Sequence, residues 1–310
     1  MRRAVASSFV MIPPPSPTQD RQAGLFALAG ELRPELHRYC ARLMGSVIDG
    51  EDVVQDTLAR AYYQLPELRD MPALKSWLFR IAHNQALDAL RKRARLKSEP
   101  IDIVEDTAMD EDADAEAETA REHALGLAMS RFLELSSLQR SCIILKDVLD
   151  YSLQDIAGLL DSNVTAVKAA LHRGRIRTRE LSAKANTGPV APLPAVLQRY
   201  VALFNARDWE GVKALLIDDV KLDLVSVSQR SGRHDVSTYF TNYGRTSSWH
   251  LRAGWLESQP VIAVFASEHE PHASYFIDLQ LRDGGIAAIR DFRYVPYIAR
   301  EAQIVFDPKI

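Results

Sequence analysis

The sequence lacks any run of about eighteen apolar residues, so a membrane-spanning helix is not expected. Cysteine is nearly missing: Cys40 and Cys142 are the only 2 in 310 residues. They lie far apart, each in an apolar helical pattern, and supply neither a disulfide framework nor a metal-ligand spacing. They read as buried thiols of a cytoplasmic protein with no metal and no cofactor. His269 and His272, three apart and without a third ligand, do not change that. The opening "MRRAVASSFVMIPPPSPTQD" lacks the sustained apolar core and cleavage site of a signal peptide, so residues 1–20 are expected to be a disordered tail. Basic residues are absent from Ser98 to Ala120, where 10 acidic residues stand. Residues 98–122 are therefore expected to be an acidic linker, self-repelling and solvated. The net charge of −3 averages over such unlike segments and excludes little.

What is present falls into three blocks. Residues 21–97 and 123–183 carry helical periodicity. "AKANTGPVAPLP" has the composition of an interdomain connection, giving a second linker at 184–194. Residues 195–300 begin with helices and continue into strand-like alternation, turned at Asp283-Gly284-Gly285. The expectation is a multidomain chain: two all-α domains, then an α+β domain with an antiparallel sheet, and a tail at 301–310.

Charge is concentrated in "SNVTAVKAALHRGRIRTRE", Ser162 to Glu180. At about 100° per residue, Thr165, Lys168, His172, Arg175 and Arg179 fall within an arc of roughly 80°, opposite Val164, Val167, Ala170, Leu171 and Gly174. Upstream, Ser152 can cap a helix carrying Ile156, Leu159 and Leu160, and Asp161-Ser162-Asn163 forms a turn. Helix, short turn and basic helix make a helix-turn-helix, whose second helix enters the DNA major groove. Thr165, Lys168 and His172 are placed to face bases; Arg173, Arg175 and Arg177 are suited to phosphates.

A second basic surface runs through "LKSWLFRIAHNQALDALRKRAR". Arg80, Asn84, Arg91 and Arg95 share a side, apart from the apolar stripe of Leu74, Leu78 and Ile81. Asn84 can read an adenine edge. Trp77 can stack on an unpaired base or join the core, and Asp88 is expected to pair with a nearby arginine. In "DGEDVVQDTLARAYYQL", Val54, Leu58, Ala61 and Leu65 form the buried stripe, while Asp52, Gln55 and Asp56 project elsewhere. Such an acidic ridge either meets a basic protein partner or is simply solvated.

Together these stretches resemble the sigma factors of bacterial RNA polymerase, specifically the extracytoplasmic-function class. The family pattern "EDxVQxT" is met by Glu51, Asp52, Val54, Gln55, Asp56 and Thr57. The pattern "WLxRIAxNxxLDxLR" is met by Trp77, Leu78, Arg80, Ile81, Ala82, Asn84, Leu87, Asp88, Leu90 and Arg91. The stretch from Leu138 to Glu180 looks like the family's fourth region. The resemblance implies a specificity subunit that binds core RNA polymerase and promoter DNA. Asp52, Gln55 and Asp56 would dock on the polymerase clamp. Trp77, Arg80, Asn84, Arg91 and Arg95, with the loop at 65–73, would bind and open the −10 element. Asn163, Thr165, Lys168, His172, Arg173 and Arg175 would read the −35 element. The acidic linker would then either mimic RNA in the exit path or serve as a tether.

The remaining chain is similar to SnoaL-like domains, α+β cones in which a curved sheet wraps a pocket against helices. That implies a regulatory domain, acting through a small-molecule ligand or an intramolecular contact, rather than an enzyme. The expected pocket residues are Trp209, Asp223, His250, Trp255 and Asp291. The Asp-Gly-Gly-Gly-Lys motif of one such subgroup is absent; Asp283-Gly284-Gly285 lies far from the junction, in the turn. Two other readings remain: a helix-turn-helix regulator that binds operators without entering polymerase, and an enzymatic cone fused to a DNA-binding module.

Overall fold

The structure, a computed structural model, describes residues 17–64, 74–97, 117–183, 192–244 and 248–306. The expected readings for residues 1–16, 65–73, 98–116, 184–191 and 307–310 therefore lie outside the described residues.

Helix α1 (Pro17–Met44) turns back into α2 (Val47–Gln64) through Gly45, whose φ of +68° is left-handed. The two helices cross so closely that a Cβ on Gly50 would lie 2.5 Å from backbone atoms of Ala41. Helix α3 (Leu74–Lys97) lies against both, its apolar stripe of Leu74, Leu78 and Ile81 buried as its periodicity requires. The next block is α4 (Ala117–Gly126), a 3₁₀ turn at Met129–Glu134, α5 (Ser137–Ile143) running into a π turn at Ile144–Val148, α6 (Leu153–Leu159) and α7 (Val164–Ala183). Serines stop the chain from fraying at two starts: Ser136 accepts from the Gln139 amide and Ser152 from the Asp155 amide. Helix α4 begins inside the stretch expected to be linker, where alanines at 117, 120 and 124 favour helix despite the acidic neighbours.

These helical blocks do not stand apart. Leu36, Tyr39, Leu78 and Phe79 share one hydrophobic core with Phe132, Cys142, Leu145 and Ile156. Arg140 of α5 reaches across to donate to the Leu43 carbonyl (2.8 Å) at the end of α1. The two cysteines are buried free thiols in that core.

The third block is α8 (Ala195–Asn205), α9 (Trp209–Ala214), β1 (Leu216–Leu224), β2 (Ser228–Ser231), α10 (Arg233–Gly244), β3 (His250–Leu256), β4 (Gln259–Phe265), β5 (Tyr275–Arg282), β6 (Gly285–Asp291), α11 (Tyr297–Glu301) and β7 (Ile304–Phe306). The sheet order is β2-β1-β6-β5-β4-β3-β7. The β5–β6 turn uses Asp283 and Gly284 at φ +53° and +76°, as a two-residue hairpin demands. Two expectations are corrected. The sheet is mixed rather than antiparallel, because α10 carries the chain away and β6 returns alongside β1 in parallel. Residues 301–306 are not tail: β7 pairs with β3 and Glu301 binds the first helix.

Alternation along the strands gives the sheet two buried faces. Leu222, Ile262, Ile277 and Ile289 face inward, with α8, α9 and α10 closing the cone. Val225, Leu256, Val261, Phe276 and Phe292 face outward and meet Val47 and Ile48 of α2. Taking two such side chains out of water contributes about 1.5–3 kcal/mol each. The outer face of the cone is thus docked on the first helical block.

Candidate nucleic-acid and partner interface

On α7 the ridge survives in part. Thr165, Lys168, His172 and Arg179 are exposed along one side. Asn163 caps the helix, its Oδ1 accepting from the Ala166 amide (2.8 Å). Arg175 turns inward onto the buried Asp147, with Nε to Oδ2 at 3.1 Å and Nη2 to Oδ1 at 2.6 Å, a bidentate pair that stitches α7 to the π turn. The Nε and Nη2 atoms of Arg173 are buried, and Arg177 pairs with Glu180 at 2.9 Å. A heptad-like ridge counts charges; it does not reveal which of them another helix neutralises.

On α3, Arg80, Asn84, Arg91 and Arg95 are exposed on one face. Arg91 pairs with Asp88 at 3.0 Å, as expected for that aspartate. Trp77 is half-buried and packs against the shared core, so its ring is largely engaged. Helix α3 also touches α6, which brings the two basic ridges onto one compact body.

On α2, Asp56 is exposed and Gln55 half-exposed. Asp52 is occupied: Arg290 of β6 donates both of its terminal nitrogens to the carboxylate, Nη1 at 3.3 Å. The preceding Glu51 is wholly buried. It accepts from Arg33 Nη2 (2.5 Å) and from the Tyr297 hydroxyl of α11 (2.7 Å), and Arg33 Nε also donates to that hydroxyl (2.6 Å). Glu301 of α11 pairs with Arg38 (2.9 Å) and Arg42 (2.8 Å) of α1. At the other end of the interface, the Glu257 carboxylate in the β3–β4 turn accepts from the Val47 amide at 3.0 and 3.1 Å, capping α2 from another domain. Burial pushes the Glu257 carboxyl up to about 7 despite that bond. Sequence patterns missed this entire polar seam, since none of its pairs is close in sequence.

The residues expected to line the cone pocket divide between the two faces of the sheet. Asp223 and Asp291 sit on neighbouring strands but opposite faces: Asp223 lies outward, 3.6 Å from Arg290 Nε, while Asp291 points into the cone. Asp291 accepts from the Tyr239 (2.5 Å) and Tyr243 (3.1 Å) hydroxyls and from the Arg293 amide (2.8 Å), which ties α10 to β6. Burial holds its carboxyl above the usual range. Trp209 stacks edge-on against Phe204 (5.1 Å), His250 starts β3 half-exposed, and Trp255 is buried in the inner face. A groove of about 510 Å³ exists instead on the outer face, lined by Lys221, Asp223, Arg230 and Arg290 among others. Among the described residues, no helix is long and apolar enough to cross a membrane and no group of three or more His, Cys, Asp or Glu is arranged to hold a metal ion.

Comparison with known proteins matches these blocks to two families: Sigma-70 region 2 over residues 28–96 and Sigma-70, region 4 over residues 126–177. The chain is 33% identical over 155 residues to the ECF RNA polymerase sigma factor SigM of Mycobacterium tuberculosis, covering 50% of this chain and 74% of SigM. It is 30% identical over 217 residues to SigG of the same species, spanning 62% of this chain but only 59% of SigG. The crystal structure of Mycobacterium tuberculosis SigJ aligns over 87% of this chain and 98% of that one, at 20% identity and a TM-score of 0.34. With both region families in order and the SigM identity spanning most of that relative, the chain belongs to the extracytoplasmic-function sigma factors.

Proposed function

We propose that the chain is a promoter-specificity subunit of RNA polymerase, and that the conformation described above is its closed state. In this reading, α2 binds core polymerase through Asp52, Gln55 and Asp56. The exposed faces of α3 (Arg80, Asn84, Arg91, Arg95) and α7 (Thr165, Lys168, His172) contact the −10 and −35 elements. The cone restrains the first block rather than catalysing a reaction: the oxygens of Asp291 are committed to structural bonds, and Asp223 faces away from it.

The observation that carries the closed-state reading is the seating of the cone on α2, with Asp52 held by Arg290 and Val47 by Glu257. Reach supports it. Elements named for positions −35 and −10 lie about 85 Å apart along B-DNA at 3.4 Å per base pair. Lys168 lies four residues, about 6 Å, into α7, which a four-residue turn joins to α6, and α3 is itself about 36 Å long. Two readers packed on one core fall short of that distance, which favours separation of the helical blocks when both elements are bound.

The test is promoter-dependent run-off transcription with purified core polymerase, together with core-binding affinity. Wild-type protein is expected to initiate, Asp56→Arg to bind core more weakly, and Arg290→Ala to bind it more tightly. Absence of core binding by any version, with DNA binding intact, would favour an operator-binding regulator. Point variants are preferable to a chain ending near Leu181, because truncation would expose Val47 and Ile48 to water.

A further inference from the structure

Arg290 is surrounded by more carboxylates than its single charge can neutralise. Its direct cross-strand neighbours are Asp223 on β1 and Asp278 on β5, both in register with it. Asp52 of α2 arrives as a third partner and takes the two terminal nitrogens, leaving Nε 3.6 Å from Asp223. The guanidinium carbon is held 5.3 Å from the centre of the Phe292 ring. Burial holds the Asp52 and Asp278 carboxyls above the usual carboxylate range; Asp49 and Glu51 add to this at Asp52, and Asp52 adds to it at Asp278.

We infer that Arg290 is an exchangeable latch: Asp52 holds it when the cone is docked, and Asp223 and Asp278 take it over when α2 leaves. This rests on the reading of the docked cone as a regulatory state. Undocking costs Arg290 the charge-assisted bonds it makes to Asp52. Two resident carboxylates, already placed by strand register, remove that obstacle, and their repulsion of Asp52 weakens the docked pair. The Glu51 contact shares this property. Glu51 keeps Arg33 on its own side of the interface when Tyr297 departs. Arg42, buried on α1 with Glu301 of α11 as its carboxylate partner, is the exception.

The assay is hydrogen exchange of the Val47 amide in the full-length protein without polymerase, because that N–H donates across the interface to Glu257. Asp223→Asn and Asp278→Asn are each expected to slow its exchange about two- to fivefold, and the pair to slow it further, as for a partly exposed ion pair. Asp52→Asn is expected to speed it. Exchange at Ile262, deep in the cone, serves as the control for folding and should be unchanged. Faster exchange in Asp223→Asn and Asp278→Asn would mean that these residues hold Arg290 in place for Asp52, overturning the exchange idea, as would no change in either. If exchange shifts as expected but core-polymerase affinity does not, the latch stands and the regulatory reading falls.

Discussion

Replacing Glu257 by glutamine is expected to fasten the cone to α2 at alkaline pH and to do nothing at acid pH. Two effects oppose each other at this carboxylate. Capping a helix N-terminus and facing its dipole contributes about 0.5–2 kcal/mol. Burial works against the charge and prevails, with the docked carboxyl pushed up to about 7 from an ordinary glutamate value of 4.5. The docked value lies above the free one. The favourable share is therefore complete below about pH 4.5 and is lost as pH rises through about 7, amounting to about 3 kcal/mol. Of the groups around it, Asp49 opposes the charge and the Ser46 side chain favours it; Arg93 pairs with Asp49 at 2.6 Å, and buried His37, held below its usual value, bonds the Val47 carbonyl at 3.0 Å. Glutamine keeps an acceptor for the Val47 amide and removes the charge. With part of the cap bond lost, roughly 1–2 kcal/mol should remain, a five- to thirtyfold slowing of Val47 exchange at pH 8. Wild type and variant should converge near pH 4.5. Faster exchange in the variant at pH 8 would refute the reasoning, showing that the ionised cap is worth more to α2 than its burial costs.

Three further outcomes are expected. Lys168→Ala and His172→Ala should each weaken selection at the −35 element by about 1–3 kcal/mol where a base contact is lost, read as promoter preference in run-off assays; unaltered preference would remove them from the reading face. Arg175→Ala should leave Asp147 buried and unpaired and cost about 3–5 kcal/mol of stability, read in thermal unfolding, whereas a DNA contact would change promoter affinity at constant Tm. Gly50→Ala should drive a methyl group into the Ala41 backbone and destabilise the α1–α2 crossing by about 1–3 kcal/mol, again visible in Tm; an unchanged Tm would mean that the crossing yields freely.

Much of this protein was legible in its sequence because the signals are local. Caps and periodicity mark Ser152 and the helices around it. The stripe of Leu74, Leu78 and Ile81 gives α3 a buried side and hence an exposed basic one. Alternation and the Asp283-Gly284 turn give the β5–β6 hairpin. The order of motifs between residues 51 and 180 gives the family. Tertiary structure alone decided which charges are free. Arg175 and Asp52 look like their neighbours on a helical projection, yet one is committed to Asp147 and the other to Arg290, 238 residues away. Likewise the alternation of β6 predicts that Arg290 and Asp291 face opposite ways, but not that one meets α2 while the other closes the cone. Periodicity reports that a side chain leaves its own backbone on a given side. What waits there is set by packing between segments distant in sequence, and a charge becomes a ligand, a cap or a latch only through that partner.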